Sequence, residues 1–298
     1  MAHNHHHSKV TGTKLLITIV LNVLITIAQI IGGIFSGSMA LLSDAAHNFS
    51  DVIALIISYA ANKLSSKICT VEQTYGYKRA EIFAAFINAS TLIIIAIYIL
   101  TEGILHFFKP ESINGNIVIY LAGLSIILNG LSVLLIKGDA KNSLNIKSAY
   151  LHLLTDMLTS IAVLISGLLV KYYQLFWFDS VISIGIAFYL IYNSWGIFIT
   201  SLKIMMQFTP KEIDIKKLAE KITALPGIKN IHHIHVWQLG EHDIIFDAHI
   251  DTEQNILITD FEKIHGQIGI ILDEFDVHHF TIQPEYAVND NKNMLGIA

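Results

Sequence analysis

Six apolar stretches, each long enough to cross a lipid bilayer, occupy the first two thirds of the chain. They cover approximately residues 14–35, 38–62, 80–107, 115–137, 147–170 and 178–203. A helix needs about 20 apolar residues to span the hydrocarbon core, and only helices and closed barrels satisfy their backbone polar groups there. Polar and glycine-containing segments interrupt the apolar pattern between them. The sequence therefore predicts an all-α bundle of six transmembrane helices within residues 14–206.

The composition supports a membrane part followed by a soluble part. Only 14% of the 298 residues are charged and 53% are hydrophobic, whereas soluble domains carry about 25% charged residues. The charge deficit falls on residues 15–206, and residues 207–298 have the composition of an ordinary soluble domain. The net charge of −5 gives no case for a nucleic-acid partner, and the single cysteine excludes an intramolecular disulfide.

The last third of the chain has the periodicity of a small mixed domain. Residues 210–224 and 258–272 have helical spacing, and residues 228–238, 243–251 and 277–283 are β-rich. The order α-β-β-α-β predicts a small α+β domain over residues 207–286, with its helices on one face of the sheet. A flexible C-terminal tail is expected at 287–298, and a His-rich N-terminal tail at 1–13.

Lysine and arginine predict the orientation in the membrane. The segments between spans two and three and between spans four and five contain Lys63, Lys67, Lys78, Arg79, Lys137, Lys141 and Lys147. The opposite side contains only Lys109 and Lys171. Because positive loops stay in the cytoplasm, we expect both termini to be cytoplasmic.

Two His-x-x-x-Asp pairs lie inside the predicted membrane spans: His47/Asp51 in span two and His152/Asp156 in span five. An ionisable group at the centre of a membrane helix costs about 2.5–3.5 kcal/mol on insertion scales, so such groups mark functional sites. Residues four apart share one helix face. Because spans two and five run in opposite directions, we expect His47 to lie level with Asp156, and Asp51 level with His152.

Two imidazoles and two carboxylates suit tetrahedral zinc. Cadmium, cobalt and iron also accept such ligands, since affinity alone does not select a metal. Each pair could alternatively be a structural hydrogen bond or a proton relay. Zinc requires neutral histidine and ionised aspartate, so protons compete with the metal and metal/proton exchange is a hypothesis. Asp44 shares the face of His47 and is either a carboxylate next to the metal ligands or on the exit path, or a polar group at the start of the helix.

At these residues the chain resembles the cation diffusion facilitator family in its zinc-transporting branch. The resemblance rests on Ser-Asp-Ala-Ala-His-Asn-Phe-Ser-Asp at 43–51 and His-Leu-Leu-Thr-Asp at 152–156. Tyr-Gly-Tyr-Lys-Arg-Ala-Glu at 75–81 and Thr-Ile-Gln at 281–283 also resemble family signatures. The similarity covers about residues 12–285.

This resemblance implies a six-span transporter with a ferredoxin-like, metallochaperone-like cytoplasmic domain. It further implies a homodimer in the inner (plasma) membrane that exchanges Zn²⁺ for protons and is not an enzyme. By the same resemblance, His232, His249 and Glu285 are expected to form a cytoplasmic zinc site. A broader range including Cd²⁺, Co²⁺ or Fe²⁺, a metal-sensing membrane protein and a membrane metalloenzyme remain the alternatives.

Overall fold

The computed structural model describes residues 12–136, 144–240 and 243–295. Its six long helices are α1 (Gly12–Ser36), α2 (Met39–Ser65), α3 (Ala80–Phe108), α4 (Gly115–Ile136), α5 (Leu144–Tyr173) and α6 (Phe176–Met205). Among the described residues, five of these helices are long and apolar enough to span a membrane, and α1 contributes the shorter apolar segment Val20–Ser36. The predicted helical membrane domain is confirmed. Most of the expected His-rich N-terminal tail, residues 1–11, lies outside the described residues.

The chain divides into two compact units. The first comprises the residues up to Ile57 together with Ile87–Ile197, and it contains most of the membrane helices. The second comprises Ser58–Phe86 and the residues from Phe198 onward.

A small apolar core holds the first unit together. Its buried members come from α2 to α6 and are Ala40, Leu41, Ala96, Val118, Ala122, Val163, Ile186 and Leu190. Helices α4 and α5 approach closely because Gly167 has no side chain: a Cβ there would lie 2.9 Å from Val118 Cγ1. Small residues at such contacts let membrane helices pack by van der Waals attraction.

Asp179 of α6 anchors the start of α2, which carries His47. Gly37, at φ +70°, forms the turn between α1 and α2, a conformation that glycine adopts without steric cost. The Asp179 carboxylate accepts hydrogen bonds from Ser38 Oγ (2.7 Å), the Ala40 amide (3.0 Å) and Ser166 Oγ of α5 (2.9 Å). One buried carboxylate therefore joins three helices.

The C-terminal domain has the predicted α-β-β-α-β order. Its elements are α7 (Ile215–Thr223), β1 (Ile228–Gln238), β2 (Ile244–Thr252), α8 (Ile258–Asp273) and β3 (His279–Glu285). The sheet order is β1-β2-β3, with β1 antiparallel and β3 parallel to β2. Alternate residues of β2, namely Phe246, Ala248 and Ile250, enter the core beside Leu218 of α7 and Leu272 of α8. The predicted small α+β fold is confirmed.

The C-terminal segment folds back along the free edge of β1. The Ile234 amide donates to Met294 O (2.9 Å), the His233 amide donates to Asn293 O (3.4 Å), and Asn230 Nδ2 donates to Lys292 O (3.4 Å). His233 has φ +50°, and the register of β1 shifts there. This arrangement differs from the flexible tail expected for 287–298, because the unpaired amides of an edge strand offer the segment hydrogen-bond partners.

Candidate metal centres

The two His-x-x-x-Asp pairs meet across α2 and α5 in the first unit. His47 Nε2 lies 3.3 Å from Asp156 Oδ1, and His152 Nε2 lies 3.3 Å from Asp51 Oδ2. These cross-helix contacts have the pairing expected for antiparallel helices. A tetrahedral zinc ion with bonds of about 2.0–2.2 Å separates its ligand atoms by about 3.3–3.6 Å. The spacing therefore fits a metal of this size.

The buried atoms at this centre lack hydrogen bonds. Both ring nitrogens of His47 and both carboxylate oxygens of Asp156 are buried without a hydrogen-bond partner among the described residues, as is Asp51 Oδ2. A buried polar group left unpaired costs about 1–3 kcal/mol. Such a cluster lowers the stability of the fold unless a ligand pairs with its unpaired atoms. Because imidazole nitrogens and carboxylate oxygens donate electron pairs, that ligand is a cation or protons.

The four side chains differ in exposure. Asp156 is fully buried and His47 is 8% exposed, whereas Asp51 is 23% and His152 is 45% exposed. His47, Asp51 and Asp156 offer ligand atoms that all lie within 4.8 Å of one another. His152 lies beside this compact group, with its Nε2 3.6 Å from Asp156 Oδ2. The centre therefore has a buried end and an accessible end.

Asp44, one helical turn before His47, already has hydrogen-bond donors on both carboxylate oxygens. Its carboxylate accepts hydrogen bonds from Gln29 Nε2 of α1 (2.6 Å) and Ser160 Oγ of α5 (2.9 Å). The Thr159 hydroxyl of α5 lies 2.9 Å from the same carboxylate and 2.8 Å from Asp156 O, and its one proton serves either acceptor. These contacts favour the structural reading of Asp44, since its lone pairs are engaged. The network joins α1, α2 and α5 next to the centre.

A second cluster lies on the sheet face opposite the helices of the C-terminal domain. His232 of β1 and His249 of β2 are direct register partners, with ring centroids 5.5 Å apart. Glu285 Oε2 lies 3.3 Å from His232 Nε2, and Glu285 Oε1 lies 2.8 Å from His249 Nδ1. Asp290 Oδ2 is also 3.3 Å from His232 Nε2. The ligand atoms of these four residues lie within 4.8 Å of one another.

This cluster contains three charged residues that the sequence reading did not identify: Asp251, Asp290 and Lys292. Asp251 could have been found, because it lies two residues after His249 and so on the same face of β2. Asp290 and Lys292 lie in the segment expected to be flexible, where no periodicity indicates a position. Burial raises the pKa of Glu285, but its hydrogen bond to Lys292 and the charge of that lysine outweigh burial and hold the pKa below its usual value.

Comparison with known proteins matches both parts of the chain. Residues 15–206 match the family described as the cation efflux transmembrane domain, and residues 210–287 match the cation efflux protein cytoplasmic domain. The chain is 34% identical to the cadmium, cobalt and zinc/H(+)-K(+) antiporter of Bacillus velezensis, over 99% of this chain and 95% of that protein.

Two further relatives have comparable coverage. The metal cation efflux system protein CzcD of Cupriavidus metallidurans is 32% identical over 96% of this chain and 90% of its own length. The zinc transporter ZitB of Escherichia coli is 30% identical over 96% of this chain and 93% of its own length. Since these matches cover both the helical part and the small α+β domain, the chain belongs to the cation efflux family of multi-pass membrane transporters, the cation diffusion facilitators.

Proposed function

We propose that this protein exports Zn²⁺ from the cytoplasm in exchange for protons, through a centre formed by His47, Asp51, His152 and Asp156. The observation that carries the proposal is the buried contact between His47 and Asp156. Their facing ring and carboxylate atoms lie 3.3 Å apart and have no hydrogen-bond partner among the described residues. A transported divalent cation would satisfy both side chains at once.

The exposure of the four side chains supports a direction of loading. His152 and Asp51 are the more exposed pair, and each is the member of its His-x-x-x-Asp pair nearer the helix end that the lysine and arginine distribution assigns to the cytoplasm. We propose that zinc contacts this pair first and then reaches His47 and Asp156. The metal requires neutral imidazoles and ionised carboxylates. Protons arriving from the opposite side would therefore displace it, which couples export to proton uptake.

We further propose a second, resident zinc site in the C-terminal domain, formed by His232, His249 and Glu285 with Asp290 as a fourth ligand. Two imidazoles and the Glu285 carboxylate on one sheet face, together with the Asp290 carboxylate of the C-terminal segment, satisfy the ligand preference of zinc. Bound zinc would join β1, β2 and β3 to the C-terminal segment. We propose that this domain and both termini lie in the cytoplasm and that the helices span the inner (plasma) membrane; the match of residues 210–287 to the family's cytoplasmic domain supports this orientation.

We propose that two chains associate as a homodimer through the C-terminal domain. Light scattering of the detergent-purified chain, corrected for bound detergent, should give twice the 33.2 kDa mass of one chain. A single-chain mass at micromolar concentration and in the presence of zinc would contradict this proposal.

The names of the relatives include cadmium and cobalt besides zinc, so a broader metal range is the alternative to zinc selectivity. The donor set does not exclude these ions, because histidine and carboxylate bind several divalent metals. Flux measured for Zn²⁺, Cd²⁺, Co²⁺ and Fe²⁺ in the same proteoliposomes would establish the range.

Proteoliposomes test the transport proposal directly. Zinc flux should depend on an imposed pH gradient and should fall by at least about 100-fold in Asp156→Asn, since loss of even an indirect metal contact costs about 10–100-fold. Asp179→Asn is the matched control, because Asp179 is also a buried membrane carboxylate but has its hydrogen bonds made. Asp179→Asn should lower the stability of the protein but leave the zinc flux per folded molecule at the parental value. Unchanged flux in Asp156→Asn would refute the centre, and flux insensitive to the gradient would refute proton coupling.

A further inference from the structure

Lys292 places its ammonium group inside the cytoplasmic cluster. Its Nζ lies 2.8 Å from Asp251 Oδ1, 2.9 Å from Glu285 Oε2 and 3.4 Å from His232 Nε2, and it pairs with Asp290. It therefore contacts three of the four residues that offer metal ligands there. This lysine already occupies the position of a cation.

The ammonium is held in place by the fold of the C-terminal segment. Backbone hydrogen bonds join Asn293 and Met294 to β1, and Met294 packs against the domain core. The Lys292 carbonyl accepts a hydrogen bond from Asn230. The side chain is consequently presented to the cluster by an ordered backbone, and it is only 31% exposed.

The charge balance explains why a cation is required when no metal is bound. Asp251, Glu285 and Asp290 bring three carboxylates together on one sheet face beside two imidazoles. Carboxylates this close repel one another unless a positive charge lies between them. Lys292 supplies that charge.

A zinc ion bound to His232 Nε2 and Glu285 Oε2 and the Lys292 ammonium would compete for the same two atoms. Zinc bonded to Glu285 Oε2 at about 2.0–2.2 Å would lie within about 5 Å of an ammonium that hydrogen-bonds to the same oxygen. The two cations would repel each other and would compete for the lone pairs of His232 and Glu285. Lysine has three donors and no acceptor, so it cannot become a ligand while charged.

We propose that Lys292 is a built-in competitor of zinc at the cytoplasmic centre, so that zinc binds there only by expelling the ammonium into solvent. This inference rests on the proposed cytoplasmic zinc site. It means that the apo domain is stable with Lys292 in the centre and that zinc affinity is lower than the four ligands alone would give. The free zinc concentration that half-fills the centre is then higher than it would be without Lys292.

Zinc affinity measured by competition with a chromophoric chelator tests the proposal on the full-length, detergent-purified chain. A background with Asp51→Asn and Asp156→Asn disables the intramembrane centre. The part of the remaining zinc binding that His232→Ala removes then reports the cytoplasmic centre, apart from any zinc held by the His-rich N-terminal residues. In this background Lys292→Met should bind zinc about tenfold more tightly or better, because a competing charge is removed. Lys292→Arg keeps the charge and should stay within about threefold of the parent. Lys263→Met, at an exposed lysine, is the matched control.

A second measurement needs no change at Lys292. Acetylation of lysine amines, followed by peptide mass spectrometry, should label Lys292 slowly in the metal-free protein and about tenfold faster with zinc bound, since its ion pairs are then broken. The exposed Lys217 and Lys263 serve as internal references whose labelling should not respond to zinc.

The outcomes separate this inference from the site on which it rests. Unchanged or weaker zinc binding in Lys292→Met, with Lys292 labelling insensitive to zinc, would overturn the competitor role and leave the cytoplasmic site standing. Unchanged zinc binding in His232→Ala would overturn the cytoplasmic site itself. Tighter binding in Lys292→Met, parental binding in Lys292→Arg and zinc-dependent labelling together would support the proposal.

Discussion

His47 of α2 and Asp156 of α5 face each other with Nε2 3.3 Å from Oδ1, and both side chains are buried without hydrogen bonds among the described residues. By contrast, the buried carboxylates of Asp179 and Asp44 in the same membrane domain accept hydrogen bonds on both oxygens. The domain thus distinguishes carboxylates that brace helices from carboxylates left free for a cation.

Replacing His47 with aspartate should change the metal preference. His47→Asp substitutes a hard oxygen donor for an imidazole nitrogen, which disfavours zinc and favours manganese. We expect the ratio of zinc flux to manganese flux in proteoliposomes to fall by about tenfold or more. His278→Asp, at an exposed histidine of the C-terminal domain, is the control and should keep the parental ratio. An unaltered ratio in His47→Asp would argue against direct metal contact.

Removing the charge of Asp44 should affect stability more than metal binding. In Asp44→Ala both acceptor oxygens are removed, so the donors Gln29 Nε2 and Ser160 Oγ lose their buried partner. We expect a loss of about 1–3 kcal/mol in the free energy of unfolding, measured by thermal unfolding in detergent. Zinc affinity should change much less. Parental stability combined with lost zinc binding would instead identify Asp44 as a ligand.

A methyl group at Gly167 should separate α4 from α5. The added Cβ would lie 2.9 Å from Val118 Cγ1, and overpacking of this kind costs about 1–3 kcal/mol. Gly123→Ala is the matched control on α4, because nothing lies within 4 Å of a Cβ there. Thermal unfolding should show a lower midpoint for Gly167→Ala than for the parent, and no decrease for Gly123→Ala. Equal midpoints would contradict the close helix approach.

Zinc should stabilise the protein, and a chelator should reverse the effect. A ligand at 100 times its Kd stabilises the folded state by about 2.7 kcal/mol per site, so the unfolding midpoint should rise on zinc addition. Asp156→Asn should retain only the contribution of the C-terminal domain, and His232→Ala only that of the intramembrane centre. If both variants respond to zinc as the parent does, neither centre binds the metal.

The intramembrane ligand residues could be predicted from the sequence because their geometry is mostly local. Apolar length predicts a membrane helix, and the i, i+4 spacing of His47 and Asp51 places them on one helix face without reference to any other element. Opposite helix directions then predict which residues lie level. The cytoplasmic cluster could be predicted only in part from the sequence. Asp290 and Lys292 reach it because the C-terminal segment hydrogen-bonds to the edge strand, and such bonds leave no periodic pattern in the sequence.

The sequence by itself determined the membrane spans, the α-β-β-α-β order and the residues that carry ligand chemistry, because hydrophobicity and period are properties of contiguous segments. The tertiary structure decided which of those groups remain unpaired, and it placed Lys292 beside Asp251, 41 residues away in the chain. Burial and charge compensation depend on everything packed around a group. For this reason the side chain of Asp44 is hydrogen-bonded and that of Asp156 is not, although both are aspartates within membrane helices.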